Sequence, residues 1–118
     1  MYYLGKSLRI AFDEAVTRAT DALKKEGFGV LTEIDVRETL RKKLGVDFPN
    51  YRILGACNPA LAYEALKLEN KVGTMLPCNV VIRDAGDGQT EIAAIDPVVS
   101  MQAIENPELK RAAAQVRA

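Results

Sequence analysis

The sequence predicts an α+β protein, a two-layer sandwich with helices packed on one face of a mixed or antiparallel sheet. Three observations carry this prediction. Apolar residues switch repeatedly between the two-residue period of strands and the 3.6-residue period of helices. Asn58-Pro59, Asp96-Pro97 and Asn106-Pro107 each join a capping side chain to the proline favoured at a first helical position. Asp87-Gly88, set between two β-branched runs, marks a hairpin, and neighbouring strands joined by a turn exclude a purely parallel sheet. The predicted order is β-α-β-α-β-α-β-β-α-α.

Tyr2–Leu8 is the first strand. From Phe12 the period changes, and Phe12, Ala15, Val16, Ala19, Ala22 and Leu23 fall on one helical stripe. Acidic residues at its start and Lys24-Lys25 at its end suit the helix dipole, and Gly27 is the expected stop. Phe28–Ile34 is a strand by its β-branched and aromatic content. Asp35 and Glu38 form a capping-box pattern for a helix over Val36–Leu44, which Gly45 ends. Tyr51–Cys57 is the next strand. Asn58-Pro59 opens a helix running to about Glu69, burying Leu61, Ala65 and Leu68. After a loop with Gly73 and Pro77, Cys78–Arg83 and Thr90–Ile95 form a hairpin around the turn Asp84–Gln89. Asp96-Pro97 starts a short helix, and Asn106-Pro107 starts another.

A chain of 118 residues suits one hydrophobic core, and no repeat, linker or low-complexity stretch divides residues 1–118, so a single domain is expected. With 48% hydrophobic and 27% charged residues, the apolar content is ample to offset the entropy of folding. Sixteen basic residues balance sixteen acidic ones, and the charges are interspersed, which argues against nucleic-acid binding. No apolar run has the length of a membrane span, and the N-terminus lacks the core of a signal peptide, so a cytoplasmic location is expected. Two cysteines are expected as free thiols there. The absence of histidine removes the commonest general base and zinc ligand.

Several patterns suggest chemistry and have a plainer explanation. Gly5-Lys6-Ser7 resembles the tail of a phosphate-binding loop but lacks the upstream glycine that builds the cradle. Asp84, Asp87 and Gly88 lack the acid spacing and closing glutamate of a calcium loop and suit a solvated turn. Asp35 and Asp96 each stand between a strand and a helix, where capping accounts for them; a catalytic pair would need them to converge.

Cys57, Asn58, Cys78 and Asn79 form the strongest candidate site. Cys57 closes one strand in Ala-Cys-Asn-Pro, and Cys78 opens another in Pro-Cys-Asn-Val. If those strands are antiparallel neighbours, both Cys-Asn pairs reach one sheet edge, near a helix N-terminus that favours a thiolate or an anion. Met75 would add a thioether and suit Cu(I). The competing explanation is packing: free cysteine is often buried as a small hydrophobe, and there is neither a Cys-x-x-Cys pair nor a four-ligand zinc set. Asn58 has a local role as a cap, and Asn79 as a loop pin.

The blocks Gly27–Val36, Tyr51–Pro59, Leu76–Val81 and Ile95-Asp96-Pro97 resemble the signature segments of the domain-of-unknown-function family 302, in the same order and over nearly the whole chain. The resemblance implies a small α+β fold and a dimer, and brings no established activity. Another branch of that family carries Gly-Asn-Pro where this chain has Cys57-Asn58-Pro59. That makes Asn58 and Pro59 the architectural part of the motif and Cys57 an addition.

With no recognisable general base, nucleophile pair, complete metal site or cofactor motif, the expected function is a homodimeric module. It would bind a small ligand or a protein partner without catalysis of its own. The alternative is a thiol-based sulfur-carrier, redox or soft-metal protein using Cys57 and Cys78.

Overall fold

The computed structural model describes residues 3–96 and residue 114. Its elements run β1 Tyr3–Leu8, α1 Phe12–Lys25, β2 Gly29–Asp35, α2 Val36–Leu44, β3 Tyr51–Cys57, α3 Pro59–Leu68, a 3-10 turn Val72–Met75, β4 Cys78–Gly86 and β5 Gln89–Ile95. The fold is α+β and follows the expected order as far as β5. The helices expected at Asp96-Pro97 and Asn106-Pro107 fall outside the described residues.

The five strands form one sheet in the order β1-β5-β4-β3-β2, and every neighbouring pair is antiparallel. The strands at the two edges, β1 and β2, therefore run parallel to each other, and α1 connects them across one face. That face holds the core. Ala15 and Ala19 of α1 pack with Leu54 of β3 and Val80 and Ile82 of β4, and Phe12, Val16 and Leu23 lie against this cluster. Alanine on the inner stripe lets the helix approach the sheet closely, so the larger strand residues fill the space between. Thr90, also buried, donates its hydroxyl to the Ile10 carbonyl at 2.8 Å and ties β5 to the chain entering α1.

Local signals set the helix ends. Beyond α1, Phe28 N–H donates to the Leu23 carbonyl at 2.8 Å and Gly27 N–H to the Lys24 carbonyl at 3.2 Å, a Schellman motif with Gly27 at φ +84°. The Asp35 carboxylate accepts from Glu38 N–H at 3.0 Å and opens α2, whereas Glu38 directs its own side chain to Arg41, so the capping box is half made. The α2 helix links β2 to β3, and α3 links β3 to β4, so they sit at opposite ends of the sheet. Both of these strand pairs are antiparallel neighbours.

The hairpin differs from expectation. β4 and β5 run closer together, to Gly86 and from Gln89, and the turn is the pair Asp87-Gly88 with φ of +53° and +74°. Positive φ at both positions lets the turn match the strand twist. A register shift between Asp84 and Gly86 absorbs the extra residue, with Gly86 N–H bonded to the Asp84 carboxylate at 2.9 Å.

Candidate functional site

The strand registers arrange the sheet face turned away from α1 as three cross-strand rows. Tyr51, Arg83, Glu91 and Ser7 oppose one another in the first. Ile34, Ile53, Val81, Ala93 and Gly5 form the second, an apolar line across all five strands. Thr32, Gly55 and Asn79 lie in register in the third, and the pair Tyr3–Ile95 closes the β1–β5 end of the face. Strand alternation keeps these residues on one side and the core residues Leu54, Val80 and Ile82 on the other.

Small residues make the β4–β5–β1 half of this face concave. A concavity of about 350 Å³ is lined there by Tyr3, Tyr51, Asn79, Val81, Arg83 and Glu91, with Ala93 and Ile95 beneath. Phe48 stands edge-on to Tyr51 with ring centroids 6.2 Å apart and supports that wall. Tyr3 reaches back along β1, and a Cβ on Gly5 would come within 3.3 Å of its ring.

Arg83 is the charged centre of the concavity. Its Nε donates to the Glu91 carboxylate at 2.7 Å, which leaves the outer Nη edge of the guanidinium with no hydrogen bond to a described residue. The hydrogen bond and charge of Glu91 raise the Arg83 pKa above its ordinary value, and the nearby phenol oxygens of Tyr51 and Tyr3 add to this. The Asn79 amide and the Tyr51 hydroxyl also make no hydrogen bond to a described residue, so the walls present several uncommitted polar groups.

The four residues singled out from sequence meet at one end of the β3–β4 pair, yet they divide between surroundings. Cys78 opposes Ala56, and alternation directs it to the α1 side. Cys57, one step further along β3, is directed to the other face, as is Asn79 opposite Gly55. Both cysteines are half-buried free thiols. Burial pushes the Cys78 thiol pKa up, and the neighbouring Cys57 adds to the rise. Asn58 accepts from Leu61 N–H at 3.3 Å and caps α3, and only Asn79 reaches the concavity. Among the described residues, no group of three or more Asp, Glu, Cys or His could hold a metal ion.

Other sequence candidates settle as structure. Gly5-Lys6-Ser7 lies within β1, with no loop to cradle a phosphate. Asp35 ends β2 and Asp96 follows β5, on strands separated by β3 and β4, so the two carboxylates do not form a pair. No described helix is long and apolar enough to cross a membrane.

Sequence reasoning missed Tyr3, Tyr51, Arg83 and Glu91 because they come from four strands. A signal for two of them was present. Placing the turn at Asp87-Gly88 and allowing one bulged residue sets Arg83 opposite Glu91.

The molecule is thus a small α+β protein that presents an antiparallel sheet with one packed face and one open face whose hollow joins an apolar floor to polar walls. The profile of the family "Domain of unknown function DUF302" matches residues 5–118, and the chain belongs to that family. A solved structure, an uncharacterized conserved DUF302 protein from Bacillus stearothermophilus, is 34% identical to this chain. It superposes with a TM-score of 0.90, covering 99% of this chain and 91% of that one. No curated protein shows a significant match to the chain.

Proposed function

We propose that this DUF302 protein is a cytoplasmic, homodimeric binding module that holds a small ligand on the sheet face turned away from α1. The observation that carries this reading is the concavity itself. Its volume of about 350 Å³ lies within the usual range of ligand pockets, and an apolar floor of Val81 and Ala93 meets polar walls with unspent hydrogen bonds. Asn79, singled out from sequence, stands in that wall. The homodimer has support from β1, an edge strand whose outer backbone groups meet no other described strand and so invite a second copy. Two free thiols suit a reducing compartment.

The test is native mass spectrometry of the full chain, followed by backbone-amide NMR during titration with a library of small fragments. Dimer masses and saturable shifts at Tyr51, Val81 and Ala93 are expected. A monomer at all concentrations removes the dimer; shifts confined to other surfaces remove the site.

The second reading is thiol chemistry at Cys57 and Cys78, as a sulfur carrier, redox pair or soft-metal site. It draws on the meeting of both thiols at one end of the β3–β4 pair, close enough for Cys57 to act on the Cys78 thiol. Working against it are the raised Cys78 pKa and the alternation that sends the side chains to opposite faces, because the thiolate is the reactive form. Rapid labelling of both thiols in the native state would favour this reading. Labelling only after unfolding would sink it.

A further inference from the structure

We propose that the concavity on the face opposite α1 takes a small monocarboxylate with an apolar body. The carboxylate would meet the outer guanidinium edge of Arg83, and the body would rest on Val81 and Ala93. The inference builds on the ligand-binding reading above and commits it to a chemical class.

The donor balance comes first. A guanidinium has two edges able to grip a carboxylate, one through Nε and one between its two Nη groups. Glu91 occupies the first, at 2.7 Å, and the Nη edge makes no hydrogen bond to a described residue. Glu91 thereby fixes the plane and direction of the guanidinium, so its second edge is already oriented when a ligand arrives. The phenol oxygens of Tyr51 and Tyr3 lie near this guanidinium, and the Tyr51 hydroxyl, which makes no hydrogen bond to a described residue, is a further donor for a carboxylate oxygen. The two Nη groups can only donate, and Glu91 has one oxygen already bonded, so a ligand that brings acceptors suits this edge.

Charge then decides the kind of anion. Arg83 and Glu91 sum to zero, so a dianion would meet one guanidinium and one repelling carboxylate. A single negative charge, delocalised over a planar pair of oxygens, matches the geometry of the Nη edge and adds the least repulsion from Glu91. Val81 and Ala93, in the cross-strand row next to Arg83, give the concavity an apolar floor, which a fully polar anion would leave uncovered.

The experiment titrates the full chain with phenylacetate, phenylacetamide and inorganic phosphate, reading backbone-amide shifts and heats of binding. Phenylacetate is expected to saturate, with shifts at Arg83, Val81 and Ala93. Phenylacetamide should bind about tenfold to a hundredfold more weakly, and Arg83→Gln should weaken phenylacetate by a similar factor, as for a lost charge-assisted hydrogen bond. Phosphate should produce no saturable shift at these residues. Ala93→Leu, which fills the floor and leaves Arg83 in place, should also abolish binding and serves if Arg83→Gln does not fold. Equal binding of amide and acid at this face would overturn the carboxylate and leave the ligand site standing. Phosphate binding in place of phenylacetate would do the same. Fragments shifting only other surfaces, with no response to phenylacetate, would remove both.

Discussion

The two faces of the sheet are built on the same five strands and put to opposite uses. On the α1 side, alternate residues of β3 and β4 are large and apolar and are closed over by the alanines of α1. On the other side the same strands alternate into Tyr51, Ile53, Val81, Asn79 and Arg83, where a charged pair and small residues leave a hollow. The difference teaches that period-two patterning divides stability from recognition. One residue step along β4, from Ile82 to Val81 or Arg83, passes from core to candidate site.

The largest expected effect breaks the comparison if it fails. Ile82→Ala removes a side chain with 0% exposure and should cost about 2–5 kcal/mol of stability. Val81→Ala, one residue away on the opposite face, should cost about 1 kcal/mol, because its side chain is partly exposed. Denaturant unfolding of the two variants measures both. Equal losses would mean that the second face is packed as tightly as the first.

Between the faces, Gly55 marks where the open side is itself filled. A Cβ there would collide with the Thr32 hydroxyl and come within 2.7 Å of the Pro77 ring. Gly55→Ala should therefore cost about 1–3 kcal/mol by overpacking, against almost nothing for a change at Gly29, whose surroundings are open. Melting of the two alanine variants tests this. A tolerated Gly55→Ala would show that Pro77 and Thr32 yield, and that the concavity extends across β3.

Legibility in the sequence follows the same division between local and long-range structure. The α2 helix was readable from Asp35 to Gly45 because each marker sits within a turn of the end it sets, and Gly45 takes φ +67°. The core stripe of α1 was readable because one helix carries it. The 3-10 turn Val72–Met75 went unread, since four residues show no period. The hairpin strands extended further than read because Asp84 and Gly86 look like loop residues and instead form a bulge. Of the candidate site, the meeting of the two Cys-Asn pairs was a matter of strand ends and could be anticipated. The hollow beside them depends on the order β1-β5-β4-β3, which no local pattern states.

A smaller effect separates capping from recognition at the β3–β4 end. Asn58→Ala should lower stability by about 1 kcal/mol, through loss of the bond to Leu61 N–H, and leave ligand titrations unchanged. Asn79→Ala should do the reverse, since its amide faces the concavity and holds no described partner. Paired measurements of unfolding and phenylacetate shifts decide it. An Asn58 variant with normal stability and lost binding would move the site toward the cysteines.

The smallest effect concerns pH and tests whether Cys78 belongs to the packed side. Its thiol titrates above the ordinary value, first because of burial and then because of Cys57, so the folded protein holds the proton more tightly than the unfolded chain does. The resulting stability is fully present below the thiol's unfolded pKa. As pH rises beyond that, the unfolded state ionises first, and the contribution falls until the folded thiol also ionises. Wild type should therefore lose stability in this alkaline window, and Cys78→Ala should show a shallower slope there. Denaturant midpoints measured from neutral pH to pH 10–11 compare the two slopes. Identical slopes would mean that Cys78 titrates as an exposed thiol, placing it with the open face and reviving the thiol reading that the strand alternation disfavours.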